Sequence, residues 1–406
     1  MTKKIQPEEI NLFFNDRCEL LKLYNTQGNV IKYLLDKNKW CKLINAELSS
    51  AKVKKLGEGN TAIVMKITIA GDGSDKKSST YALKIEKAHK GMFVLSEQPN
   101  FILPMFQKGC IKSTAIERLD HRGKTILDDL AIVCENTSQI EYLIGSLMSQ
   151  LYYDGVSINF IDIISFSTCV KDNRLIHYTL MELIDTSLLQ ARKCFDKQNF
   201  NGVIDCILIQ TIHAIAVYSK LFNVVHNDLH VGNLFIKMVN KNMTWKGKKL
   251  IDADYYSYVI GDTTIYFEAQ PYIIKIGDWE YSVKYSPPIV GSKEVLLTGM
   301  IRGSNRKPWM PNFYSENYDL MYFLFTMYNY VSKTHSLLND MIKWVFDISK
   351  ASFITKKMIF PQGRPDVENL YKSKDRNPVS LLCNAKIMGK FYKKPIDKNI
   401  IELGKI

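Results

Sequence analysis

Residues 226 to 233 read His-Asn-Asp-Leu-His-Val-Gly-Asn, directly after an apolar helix-like run and directly before Leu234-Phe235-Ile236. The octet sets one carboxylate, Asp228, five positions ahead of one carboxamide, Asn233. Phosphoryl transfer from ATP asks for such a pair: a carboxylate to orient an attacking hydroxyl and accept its proton, and an amide oxygen to hold a magnesium ion beside the phosphates. Eight common polar residues can also be no more than a polar turn between helix and strand.

Further stretches bear on the same chemistry. Leu56-Gly57-Glu58-Gly59-Asn60-Thr61-Ala62-Ile63-Val64 lies between two strand-like runs, so Gly57 and Gly59 fall on a hairpin where missing side chains let backbone amides close over phosphates. Ala62 stands where the usual pattern has a third glycine. Tyr81-Ala82-Leu83-Lys84-Ile85 puts Lys84 on an apolar strand, where an ammonium is costly unless it meets an anion. Glu141 is the expected partner, since it shares the apolar phase of Ile144, Met148 and Leu151; Glu135, ahead of that helix, is the alternative. Ile273-Ile274-Lys275-Ile276-Gly277-Asp278 delivers a second metal-binding carboxylate, Asp278, at a strand end. Each piece has a plain structural explanation: a glycine turn, an edge-strand lysine, a first-turn glutamate favoured by the helix dipole, a strand-ending aspartate. Their occurrence in this chain order points to an ATP-dependent phosphotransferase.

The elements that must position these residues follow from periodicity. Apolar residues three and four apart predict two amphipathic helices between Pro7 and about Leu48. Val53 to Ile69 and Thr80 to Glu86 read as strands, and residues 87 to 134 as an irregular insertion. The run Ile140, Leu143, Ile144, Leu147, Met148, Leu151 marks a helix ending near Gly155. Strands are expected at Phe160 to Thr168 and His177 to Ile184, then helices from about Ser187 and from Gly202 to Phe222. A hairpin is expected around Gly261-Asp262, and a reduced helical tail from Phe353 onward.

Composition limits the alternatives. The net charge of +13 comes from 54 Lys and Arg spread along 406 residues, which suits solubility and a basic groove for an anionic substrate better than nucleic-acid binding. The chain has no uninterrupted apolar stretch of about eighteen residues and no signal-peptide core, so a soluble, intracellular protein without a membrane span is expected. Eight scattered cysteines, none in a Cys-x-x-Cys pair, read as reduced packing thiols. His213 and His335 read as packing or surface histidines.

Over about residues 50 to 335 the chain resembles the protein-kinase superfamily, and most of all the divergent serine/threonine protein kinases of large DNA viruses, whose catalytic loops look like His-Asn-Asp-Leu-His-x-Gly-Asn. The resemblance implies an α+β, bilobal fold with a β-rich N-lobe and a mainly helical C-lobe reduced at its C-terminal end. It implies a helical extension over 1–49, an N-lobe and hinge over 50–185 with the insertion at about 87–134, and a C-lobe with helical tail over 186–406. Gly57, Gly59 and Val64 would cover the nucleotide, Ala82 would roof the adenine, and Lys84 with Glu141 would form the ion pair. Met181 would be the gatekeeper, and Glu182, Leu183 and Ile184 the hinge that meets adenine through its backbone. Asp228 would be the catalytic base, Asn233 and Asp278 would hold Mg²⁺ or Mn²⁺, and Asp319 would brace the catalytic loop. ATP and a protein substrate would be the partners, and the host cytoplasm or the virion the location.

The departures from the family pattern also carry information. Asn227 stands where many regulated kinases carry arginine, so a phosphorylated activation loop would lack its cationic partner. His230 replaces a common lysine, Trp279-Glu280 replaces Phe-Gly, and Ser286-Pro287-Pro288 marks the end of a short activation segment without an Ala-Pro-Glu motif. A small-molecule phosphotransferase of the aminoglycoside or choline kinase kind, and a pseudokinase scaffold, are the alternative readings.

Overall fold

The computed structural model describes residues 52–58, 62–69, 79–86, 110–113, 116–119, 125–128, 131–134, 137–171, 174–191, 200–286, 289–292, 295, 314–331, 335–350 and 375–406. The helices expected before Leu48 lie outside these residues, as do Gly59 and Glu135. The fold is mixed α+β, strand-rich towards its N-terminal side and with its helices mostly later.

Strands β1 (Lys52–Glu58), β2 (Ala62–Ile69) and β3 (Ser79–Glu86) pair antiparallel in succession, and β3 continues onto β9 (Arg174–Glu182) and β8 (Ile163–Lys171). Helix α1 (Thr137–Tyr153) packs against β8. Its Ile140, Leu143, Ile144, Met148 and Leu151 are buried at the helical spacing read from the sequence. Gly155, at φ 67°, ends that turn, with the Val156 N–H reaching back to the Leu151 carbonyl at 2.9 Å.

The stretch read as an irregular insertion contains short strands: β4 (Cys110–Ser113), β5 (Ile116–Leu119), β6 (Thr125–Asp128) and β7 (Ala131–Cys134). Runs of four residues are too short for period-two alternation to separate them from loop, which is why the sequence hides them. After β10 (Thr186–Ser187) comes α2 (Leu188–Ala191), and then α3 (Phe200–Phe222). By length and composition Gly202–Phe222 could cross a membrane, yet 83% of its most apolar stretch is buried inside the protein, so it is the central helix of the core.

Following β11 (Val224–Val225), strand β12 (Leu234–Met238) pairs with β17 (Tyr272–Ile276) as an antiparallel ribbon, with β10 on the outer edge of β12. Between them lie a small hairpin of β13 (Thr244–Trp245) and β14 (Lys248–Lys249), and the expected hairpin of β15 (Tyr255–Ile260) and β16 (Thr263–Glu268) turning at Gly261. Strands β18 (Val283–Lys284) and β19 (Ile289–Ser292) join β11, β7 and β4 in one sheet of order β11-β18-β19-β7-β4. Helices α4 (Tyr318–Tyr330), α5 (Ser336–Phe346) and α6 (Pro378–Leu382) pack on α3, and α7 (Ala385–Met388) follows.

Short strands occupy much of residues 224 to 292, with the longer helices of the later part on either side. One sequence expectation needs correction: the C-terminal tail is not purely helical but ends in β20 (Ile400–Lys405), which pairs parallel with β15. Leu403 and Ile401 are buried there, so the last strand completes a core face left open by the β15–β16 hairpin.

Candidate active site

Lys84 sits in the middle of the five-stranded sheet, opposite Val64 on β2 and Thr179 on β9. Its Nζ lies 2.8 Å from Glu141 Oε2 and 2.8 Å from Asp278 Oδ1. Burial works against the ammonium, but Asp278 and Glu141 outweigh it and hold Lys84 protonated well above its usual range. Burial pushes Glu141 up to about 7 against the pull of Lys84, whereas Lys84 holds Asp278 ionised, below its usual range, despite burial. The partner expected from helical phase is thus the one the fold supplies.

Asp278 reaches this position because β17 ends at Ile276 and the chain turns sharply, with Asp278 in the left-handed region at φ 65°. Gly277 ahead of it is tightly enclosed: a Cβ there would stand 2.4 Å from Ile161 Cδ1 and 3.4 Å from Phe235. The Gly277 N–H donates to the Asn233 carbonyl at 3.4 Å, continuing the pairing of Leu234 with Ile276. The same end of one ribbon therefore carries both Asn233 and Asp278. Asn233 in turn donates from Nδ2 to the Asp228 carbonyl at 2.9 Å and reaches the Asp228 carboxylate at 3.5 Å.

The loop around Asp228 is braced from below. Asp319, buried in the first turn of α4, accepts from the backbone N–H groups of His226 at 2.6 Å and Asn227 at 3.0 Å and from the Tyr218 hydroxyl at 2.7 Å. Burial raises its carboxyl, and these donors oppose the rise. His226 links the two loops: Nδ1 accepts from the Asp228 N–H at 3.3 Å, which leaves Nε2 to donate to the Gly277 carbonyl at 3.0 Å. Asn227, also left-handed at φ 66°, donates from Nδ2 to the Tyr281 carbonyl at 3.0 Å. His230 Nε2 stands 3.6 Å from Asp228 Oδ2.

The donors suit a hard divalent cation. Asp278 stays ionised and is partly exposed, and the Asn233 amide is turned by its bond to Asp228 so that Oδ1 makes no hydrogen bond among the described residues. These two oxygens, from adjacent strand ends, are the ones that would hold magnesium. Among the described residues no group of three His, Cys, Asp or Glu gathers for a metal, here or elsewhere, so the candidate ligands are one carboxylate and one carboxamide.

The wall beside Lys84 is set by sheet register. Ala82 pairs with Met181 and Lys84 with Val64, so these four side chains share one face, while Glu182 falls on the other. Ala82 is buried, and Val64 and Met181 are half-buried. Leu183 and Ile184 follow as a half-buried connection to β10. At Gly57, paired with Val64 beside a register shift in β1, a Cβ would meet nothing within 4 Å, so packing among the described residues does not demand glycine there.

Several residues take roles at the site that their sequence positions do not announce. Trp279 is wholly buried, its ring 4.6 Å from His226 and 5.4 Å from Tyr218, and so anchors the segment after Asp278 into the core. Glu280 is nine-tenths buried, and burial, with Asp278 next, pushes its carboxyl up to about 8. The role of Tyr218 could not be read from sequence, since it lies in the apolar run of α3 and its partner is 101 residues away. No protein-family model matches this chain and no curated protein matches it, so the site is defined by its own geometry.

Proposed function

We propose that this protein is an ATP-dependent protein kinase, with a bilobal protein-kinase-like fold, that transfers the γ-phosphoryl group to Ser/Thr hydroxyls with Mg²⁺, or Mn²⁺ in its stead. One observation carries the reading: Lys84 binds Glu141 and Asp278 at once, 57 and 194 residues away along the chain, with Asn233 and Asp228 linked onward from the Asp278 loop. A purely structural lysine needs one counter-charge. This one stands between two carboxylates, and a third, Asp228, lies half-buried on the loop that Asn233 joins to them, which is the arrangement a metal-bound triphosphate would complete.

In this reading Lys84, steered by Glu141, holds the α- and β-phosphates. The metal, held by Asn233 and Asp278, neutralises phosphate charge. Asp228 orients the acceptor hydroxyl and takes its proton as the oxygen bonds to the γ-phosphorus and the bond to the β-phosphate oxygen breaks, releasing ADP. Val64, Ala82 and Met181 line the adenine slot, the backbone of 182–184 meets its edge, and Gly57 with Gly59 closes over the phosphates. Support for a fixed activation segment comes from Asn227, whose amide already holds the Tyr281 carbonyl where a phosphate-binding arginine would otherwise stand.

The test is transfer from radiolabelled ATP to basic proteins, peptides and sugars by the wild type and Asp228→Asn. Labelled protein from the wild type, a loss of about 10²-fold or more in the variant and unchanged nucleotide binding are expected. Full activity in the variant rejects the role of Asp228, and label on sugars alone transfers the reading to a small-molecule phosphotransferase. ATP binding without turnover in magnesium or manganese, together with nucleotide-independent partner binding, identifies a pseudokinase scaffold.

A further inference from the structure

The β12–β17 ribbon does more than present Asn233 and Asp278 at one end. Along its length it grips the connection between β9 and β10. Lys275, the penultimate residue of β17, is wholly buried; its Nζ lies 3.1 Å from Glu182 Oε1, donates to the Phe160 carbonyl at 3.0 Å and stands 4.4 Å from the centre of the Tyr152 ring. Lys275 pairs with Phe235 and Lys237 with Ile273, so the two lysines project from the same face of the ribbon. Lys237 donates to the Leu183 carbonyl. Further along, the Asp185 N–H donates to the Ile236 carbonyl at 3.2 Å, and the Met238 N–H to Asp185 Oδ2 at 2.8 Å. The Glu182 N–H is held by the Asp162 carbonyl at 2.9 Å.

A buried lysine is an expensive way to fill space. An apolar side chain of similar length would sit in the same place without desolvation, so this ion pair is poorly explained by stability alone. Burial pulls Lys275 below its usual range while Glu182 pulls it back, as expected of a charge kept in the core for its partner. That partner is informative. Glu182 lies in register beyond Met181 with its side chain on the face away from Lys84, so holding it from behind fixes the peptide planes whose other edge borders the slot lined by Ala82 and Met181.

Building on the nucleotide reading above, we infer that Lys275 is a positioning residue for the nucleotide base: through Glu182 it sets the orientation of the 182–184 backbone, and the ribbon acts as a fixed spacer between the base-binding edge and the metal-binding end. Adenine affinity would then depend on an ion pair that touches neither base nor phosphate.

Calorimetric titration of the full chain with magnesium ATP, together with thermal melting, tests this on the wild type, Lys275→Met, Glu182→Gln and the double variant Lys275→Met/Glu182→Met. Lys275→Met is expected to weaken ATP binding on the order of tenfold to a hundredfold. Glu182→Gln, which keeps the shape and one hydrogen bond, gives a smaller loss in the same direction and serves if Lys275→Met does not fold. The double variant separates the roles: with both charges gone it recovers the melting temperature of the wild type, yet ATP affinity stays reduced. Wild-type affinity in the folded double variant, or in Glu182→Gln and Lys275→Met, overturns the inference and leaves the kinase reading standing. A wild type that does not bind ATP overturns the nucleotide reading itself.

Discussion

The Asp319 carboxylate accepts the backbone N–H of His226 at 2.6 Å, across 93 residues of sequence. Its second oxygen takes the Asn227 N–H, so the loop that carries Asp228 is clamped to the start of α4 by a buried, ionisable group. Asp319→Ala leaves these two N–H groups and the Tyr218 hydroxyl without their acceptor. Leaving buried donors unsatisfied costs about 1–3 kcal/mol each, so a loss of at least about 3 kcal/mol in urea denaturation is expected, with Asp319→Asn intermediate.

Glu141→Gln keeps the size of the side chain and removes its charge. Among the described residues Lys84 then keeps only Asp278 as an ion-paired carboxylate, and the variant should fold, bind nucleotide and lose about 10- to 100-fold in transfer rate. Lys84→Met is more severe, because it leaves Glu141 and Asp278 facing each other without a cation in a buried site. Steady-state kinetics alongside melting curves distinguish the two: Glu141→Gln changes rate with little change in melting temperature, while Lys84→Met changes both.

His213 provides a pH prediction away from the site. It is wholly buried, stacked on Tyr258 at 3.8 Å between ring centres, and neither ring nitrogen has a hydrogen-bond partner among the described residues. Burial, with Lys246 adding to it, pushes the imidazole down to about 3. Because the unfolded histidine titrates near 6.5, the unfolded state binds the extra proton first. The contribution to stability is complete above 6.5 and is lost as pH falls towards 3, by a few kcal/mol in total. Denaturation midpoints measured across this range should show a flatter acid limb for His213→Leu than for the wild type.

Val290 tests the sheet that ties the segment after Asp278 to β7. It pairs antiparallel with Lys284 on β18 and parallel with Ile132 on β7, just ahead of the helix that carries Glu141. Proline cannot serve a strand paired on both sides, so Val290→Pro should cost about 3 kcal/mol or more and lower activity by loosening α1. Because this sheet and the Asn227–Tyr281 contact already hold the segment, phosphatase treatment of the wild type should leave its activity unchanged. A tenfold fall on dephosphorylation would contradict this.

Local signals and tertiary ones were unequally legible in the sequence. Lys84, Glu141, Asp228, Asn233 and Asp278 could be picked out because each sits beside a strong periodic run, and the fold links them in one chain of contacts. The faces of β3 and β9, and so the sharing of one wall by Val64, Ala82 and Met181, follow from two-residue periodicity once the pairing is known. The pairing itself was not legible. Strand β7 meets β19 more than 150 residues later, and β20 closes onto β15 from the far end of the chain; four-residue strands carry too little pattern to announce such partners. Lys275 was hidden for a different reason: within an isoleucine-rich strand a lysine reads as an exposed interruption, and only its neighbours Glu182, Phe160 and Tyr152 reveal that it is buried.

The most direct measurement is a crystal structure with manganese and a non-hydrolysable ATP analogue, with the metal located by its anomalous signal. The account predicts a manganese peak about 2.1 Å from an oxygen of Asp278 and from Asn233 Oδ1, with the Lys84 ammonium on a phosphate oxygen and the adenine edge against the 182–184 backbone. A metal bound away from Asn233 and Asp278, or a nucleotide seated anywhere other than beside Lys84, would contradict it.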